Sequence, residues 1–223
     1  MGAVLPPPPL LSRGGGNWDA SAGGVAIFVH VGVPARMPRV QGKESSLASI
    51  LWGSGRWMHL SVGTSAGKGM LEVMPLYGMQ GRGQRNTALL ETALHYSAQV
   101  GNLPKVVLGD FNEDLDRVQG LPHLMKTALL GGALVDVDKL YADHRGGTCC
   151  CAYHSAAGGQ TRIDGLLSDK TTASTVVSVA KVEGLHLPGH DPILFVFDLG
   201  STKQSGRCAG WTGRSSRASP QGR

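Results

Sequence analysis

The chain has 223 residues, 41% of them hydrophobic and only 5% aromatic, so a core must rest on Val, Leu, Ile and Ala. Glycine (33) and proline (12) make it rich in loops without reaching the ~25–30% that marks a low-complexity chain. A net charge of +5, no run of ~18 apolar residues and four cysteines, three of them adjacent, exclude a spanning helix and a small disulfide scaffold, and point to an intracellular protein, nuclear or cytoplasmic.

In chain order, residues 1–22 form a Pro- and Gly-rich leader that reads as disordered, without the basic and apolar regions of a signal peptide. From Gly24 the run GGVAIFVHVGV is β-branched, apolar and bounded by glycines, and predicts a buried strand. Gln41–Gly55 is a loop or short helix. Arg56–Gly63 (RWMHLSVG) and Gly69–Tyr77 (GMLEVMPLY) are strands. Gln84–Val100 is the clearest helix: Leu89, Leu90, Ala93, Leu94 and Ser97 recur at three- and four-residue spacings, and Gly101 closes it.

Pro104–Gly109 then reads as a short buried strand and Pro122–Leu130 as a second helix. Ala133–Val137, Thr148–Tyr153, Thr161–Leu167, Ser174–Val182 and Ile193–Leu199 read as further strands. Asp136, Asp138 and Asp143 are taken as loop charges. Helices interspersed among more numerous strands predict a layered α/β domain over residues 23–199. The remaining residues, 200–223, carry Lys203, Arg207, Arg214, Arg217 and Arg223 with no acid. They form a basic disordered tail, either simply solvated or holding nucleic acid weakly through charge.

The strongest chemical signal is GDFNEDLD, Gly109–Asp116, directly after the strand PKVVL. A carboxylate and a carboxamide two residues apart at the C-terminal end of a buried strand stand where α/β sheets present ligands. Asp110 can orient or deprotonate a water, and Asn112 can hold a substrate oxygen. An Asx-rich turn capping the strand is the structural alternative. Downstream, TRIDGLLSD carries Asp164 in a strand, and LPGHDPILFVFDL carries His190 just before the last one.

Tyr77 at a strand end, then Gly-Asp-Phe-Asn, then Arg-Ile-Asp, then a histidine before a terminal strand resembles the endonuclease/exonuclease/phosphatase superfamily over about Gly24 to Leu199. Within it, the pattern is most similar to abasic-site endonucleases and LINE-type retroelement endonucleases. The resemblance implies a four-layered α/β sandwich and Mg²⁺-dependent hydrolysis of a phosphodiester, with DNA the favoured partner and no membrane involved. It further implies that Asp110 activates the attacking water, Asn112 orients the phosphate and Tyr77 hydrogen-bonds it. His190 would bind a non-bridging oxygen, steadied by Asp164.

The chain departs from the pattern at two points. The family's first strand, ending in Gln-Glu, has no counterpart upstream of Gly24, so the domain reads as truncated at its N-terminal edge. Gly189 stands where an Asp usually precedes the histidine. Asp110 is then the one carboxylate left for a weak Mg²⁺ site, and an inactive remnant of the fold stays open beside the enzyme. So does a hydrolase of phospholipid or inositol phosphate. Oligomeric state is not legible.

Other signals fail on their chemistry. Gly63–Gly69 is one residue short of a phosphate loop. The Asp110–Leu121 stretch lacks the Gly and Glu of a calcium loop. Cys149, Cys151 and His154 lack the second spaced pair of a zinc site. His59, like His30, His95, His123, His144 and His186, has no partner that the sequence identifies.

Overall fold

The structure is a computed structural model. It describes residues 24–38, 46–64, 69–81, 83–100, 103–115, 134–145, 153–154, 160–161, 163–182, 184–185, 190 and 192–199. The leader, the Pro122–Leu130 helix, all four cysteines, Gly189 and the tail lie outside these residues.

Short β-branched runs build the centre. Strands β1 (Ala35–Arg36), β2 (Leu60–Gly63), β3 (Met70–Pro75), β4 (Lys105–Asp110), β5 (Leu134–Asp136) and β8 (Asp164–Asp169) form a six-stranded sheet in the order β1-β2-β3-β4-β8-β5. Neighbours run antiparallel except β3 and β4, which are parallel. A parallel pair needs a crossover, and helix α2 (Gly83–Gln99) supplies it.

Side chains alternate across this sheet as strand geometry requires. Met74, Val107 and Leu167 face the larger core with α1 (Ser46–Gly53) and α2, where Leu51, Leu89, Leu90, Ala93 and Leu94 are buried. The expected apolar stripe of α2 is therefore the buried one, and Tyr96 joins it. Val106 and Leu166 face the second core, with α3 (Val137–Arg145) and α4 (Lys170–Ala173). The antiparallel pair β9 (Val176–Lys181) and β10 (Ile193–Phe197) covers that side through Val176, Phe195 and Phe197. The described residues thus make a mixed α/β fold of helices, central sheet and a two-stranded second sheet. A small pair, β6 (Tyr153–His154) with β7 (Gln160–Thr161), stands apart from the central sheet.

Two expectations are corrected. The run from Gly24 is not a buried strand: Phe28 is 76% and Val31 79% exposed, and only Ala35–Arg36 pair, with Val62 and Ser61. An apolar stretch becomes a strand only where a neighbour takes its backbone hydrogen bonds. Asp136, Asp138 and Asp143 are not loop charges. Asp136 closes β5 and accepts from the Lys139 N–H at 3.2 Å, as a residue starting a helix does, while Asp138 and Asp143 lie within α3. The apolar positions of α3 are too few for its period to stand out.

His59 has partners that lie far away in sequence. It is 1% exposed, with Nδ1 at 2.9 Å from the Tyr96 hydroxyl and Nε2 at 2.7 Å from Glu72 Oε2, which also accepts from Ser61 Oγ at 2.6 Å. Burial pushes the Glu72 carboxyl up, but the His59 and Ser61 hydrogen bonds outweigh it and hold the group below its ordinary value. Burial, helped by the Glu72 charge, pushes the Tyr96 phenol up to about 12. No described helix is long and apolar enough to cross a membrane.

Candidate active site

The site grows from the antiparallel pairing of β4 with β8. Their register sets Asp110 opposite Asp164, so the last residue of one strand and the first of the other put two carboxylates side by side. Gly109 precedes Asp110 at φ 142°, a conformation that side chains rarely adopt, and a Cβ there would collide with the Leu76 carbonyl. Glycine is what lets β4 approach the end of β3 so closely.

Past Asp110 the chain turns into the site. Phe111 is fully buried, and its N–H donates to the Ile163 carbonyl at 2.7 Å. Asn112 takes φ 49°, the left-handed region that asparagine tolerates better than most residues. The turn is closed by the Asn112 N–H donating to Asp110 Oδ1 at 2.8 Å, and Asn112 Nδ2 donates to Asp110 Oδ2 at 3.2 Å. Asp110 and Asn112 thus form the Asx turn, and the Asp110 carboxylate of that turn also lies beside Asp164 and His190.

His190 enters just before β10. Its Nδ1 lies 2.9 Å from Asp164 Oδ2, and its Nε2 lies 3.8 Å from Asp110 Oδ2. The three side chains stay partly open to solvent, at 15% for Asp110, 20% for Asp164 and 29% for His190. Burial pushes the Asp110 carboxyl above its ordinary value, and the Asp164 charge adds to this. The Asn112 hydrogen bonds and the His190 ring oppose the rise without cancelling it.

Asp110, Asn112, Asp164 and His190 therefore converge in one group. Tyr77 belongs to a second loop beside it, tied on by its neighbour Gly78. The Gly78 N–H donates to the Asp110 carbonyl at 2.6 Å, and the Gly78 carbonyl accepts from Asn112 Nδ2 at 3.1 Å. A Cβ at Gly78 would run into the Phe111 backbone. From α2, buried Asn86 fastens both loops, accepting from the Met79 N–H at 2.8 Å and donating to the Phe111 carbonyl at 2.9 Å. Neither Asn86 nor Arg56, which also meets this loop, was indicated by the sequence. Their partners lie 25 and 22 residues away, and no local motif announces them.

Asp110, Asp164 and His190 each offer a ligand atom, all within 4.8 Å of one another. Two carboxylates and an imidazole at that spacing suit a divalent cation. An acidic group beside a carboxylate-held imidazole also suits proton transfer and the binding of an anionic oxygen.

No family model matches the chain, and no curated protein matches it by sequence. Solved structures do. The endonuclease domain of TRAS1, a telomere-specific non-LTR retrotransposon, is similar with a TM-score of 0.56 and 14% identity, over 78% of this chain and 72% of that one. The AP endonuclease LMAP from Leishmania major is similar with a TM-score of 0.52 and 11% identity, over 73% of this chain and 60% of that one. At these identities the likeness is one of fold.

Proposed function

We propose that this chain, which has the fold of the endonuclease/exonuclease/phosphatase superfamily, is a phosphodiester hydrolase acting on DNA, of abasic-site or retroelement type. The observation that carries the reading is the convergence of Asp110, Asn112, Asp164 and His190 at one end of the β4–β8 pair.

In this reading Asp110 accepts a proton from the attacking water. Asn112 orients the phosphate, and Tyr77 hydrogen-bonds it from the neighbouring loop. Asp164 accepts from His190 Nδ1–H and orients the ring, placing Nε2 to meet a non-bridging oxygen as charge gathers there. The donor set fits a divalent cation, and we assign Mg²⁺ to the Asp110 carboxylate. Bound there, it would supply positive charge to the phosphate oxygens. Mg²⁺ favours octahedral oxygen ligation with one or two carboxylates, so a site resting on Asp110, with Gly189 in the usual Asp position, is a weak one.

The same reading takes residues 23–199 as the domain and completes the fold as a four-layered sandwich. It places the protein in the nucleus or cytoplasm. The test is Mg²⁺-dependent nicking of abasic-site DNA by wild type and Asp110→Ala. The substitution is expected to lower the rate by roughly 100- to 10,000-fold, the usual worth of a positioned base, with little change in melting temperature. Equal rates would remove Asp110 from the mechanism. A wild type without turnover, whatever the metal, would favour the inactive remnant; cleavage of phospholipid or inositol phosphate in preference to DNA would move the substrate class.

A further inference from the structure

Arg56 packs against the loop that carries Tyr77, and through the Gly78 carbonyl it is linked to Asn112 as well. Its guanidinium carbon lies 5.0 Å from the centre of the Tyr77 ring. Its Nη1 donates to the Gly78 carbonyl at 2.9 Å, and its own carbonyl accepts from the Tyr77 N–H at 2.8 Å. The oxygen of Gly78 is also the acceptor for Asn112 Nδ2. A carbonyl has two lone pairs. With Arg56 on one, Asn112 is confined to the other, and the second amide proton of Asn112 then falls on Asp110 Oδ2, 3.2 Å away.

We infer that Arg56 is a positioning residue. It holds the Tyr77 ring by cation–π stacking and fixes the Asn112 carboxamide through the shared Gly78 oxygen. It acts through Tyr77 and Asn112. The inference rests on the proposed hydrolase function for its kinetic consequence, though not for its geometric one. Lysine at position 56 keeps the charge but loses the planar face and the directed N–H, so it is expected to restore only part of the arrangement.

Two measurements on the full chain decide the matter. The first is the NMR spectrum of asparagine side-chain amides in protein labelled at its four asparagines, with Asn112→Asp identifying the Asn112 pair of signals. Arg56→Ala is expected to move or broaden the Asn112 pair and leave Asn86 in place, with Arg56→Lys in between. An Asn112 signal unchanged by Arg56→Ala overturns the inference even if wild type nicks DNA.

The second is steady-state nicking. Arg56→Ala is expected to lower kcat by about 10- to 100-fold, the scale of a small misplacement of reacting groups, with KM nearly unchanged. Its effect should shrink in an Asn112→Ala background and largely vanish when Tyr77→Phe is added, as coupled residues require. A rise in KM alone, or losses that multiply, would make Arg56 a direct phosphate contact and overturn the positioning role. If wild type does not nick DNA, the hydrolase reading fails while the amide spectrum still decides the geometry. Should Arg56→Ala not fold, Arg56→Lys carries both comparisons.

Discussion

Asp110 shows what a poised carboxylate costs the fold. Burial makes the folded protein hold the Asp110 proton more tightly than the unfolded chain does. The native state then binds more protons than the unfolded one as pH rises from the ordinary aspartate value of 3.8, so stability falls across that window and the loss persists at neutral pH. Asp110→Asn keeps an acceptor oxygen for the Asn112 N–H and removes the buried charge beside Asp164. It is expected to melt higher than wild type at pH 7, with the advantage shrinking as pH falls toward 3.8 and absent below it, and to lose nicking. Thermal melts of both proteins across pH 3–7 check it. A lower melting temperature for the variant at neutral pH would mean that the Asn112 and His190 contacts outweigh the burial. On the proposed role of Asp110, this would be stability given up at a working residue, a common trade in enzymes.

At the scale of elements, the contact between α2 and the sheet combines an apolar stripe with a buried polar chain. Tyr96 from the helix, His59 and Ser61 from the chain entering and forming β2, and Glu72 from β3 satisfy one another in a region closed to water. Glu72→Gln removes the charge that His59 and Ser61 serve, and is expected to cost about 1.5–3 kcal/mol in urea unfolding at pH 7, the worth of hydrogen bonds to a charged group. The folded Glu72 carboxyl lies below its ordinary value of 4.5. Its contribution is thus fully present above pH 4.5 and is lost as pH falls through the lowered value. The gap between wild type and variant should therefore close in acid; a gap that stays constant down to pH 3 would show that shape, and not charge, sets the cost. The helix itself was legible, because Leu89, Leu90, Ala93 and Leu94 keep a helical period. The polar chain was not, since His59 and Glu72 meet only through sheet register.

For the whole molecule, the central sheet and the β9–β10 pair enclose the second core, while five basic residues lie beyond residue 199 with no acid among them. If those residues serve only as an electrostatic hold on DNA, they contribute to affinity without contributing to the fold. A chain ending at residue 199 is expected to melt at the wild-type temperature. Its DNA affinity should depend less steeply on salt, the log–log slope falling by up to ~0.9 for each phosphate that the tail no longer neutralises. Melting curves and fluorescence anisotropy between about 50 and 200 mM salt measure both. A drop in melting temperature would place part of the tail inside the domain, and an unchanged slope would leave it merely solvated.

The sequence by itself determined the elements whose signal is local: the strand Lys105–Asp110 with its Asp-Phe-Asn turn, the amphipathic α2, and the strands β8, β9 and β10. It also determined the order of the chemical residues, because that order is a property of the chain. The tertiary structure decided whatever depends on a neighbour. Residues 24–33 carry the composition of a buried strand, yet Phe28 and Val31 are exposed, since a strand exists through its pairing and not its composition. Antiparallel register brings Asp110 to Asp164 across 54 residues of chain, and His190 closes the group from 26 residues further on. Arg56 and Asn86 reach the same loops by side chains whose partners no spacing rule predicts. Local periodicity is written in the order of residues, while hydrogen-bond partnership across a fold is set by packing and register.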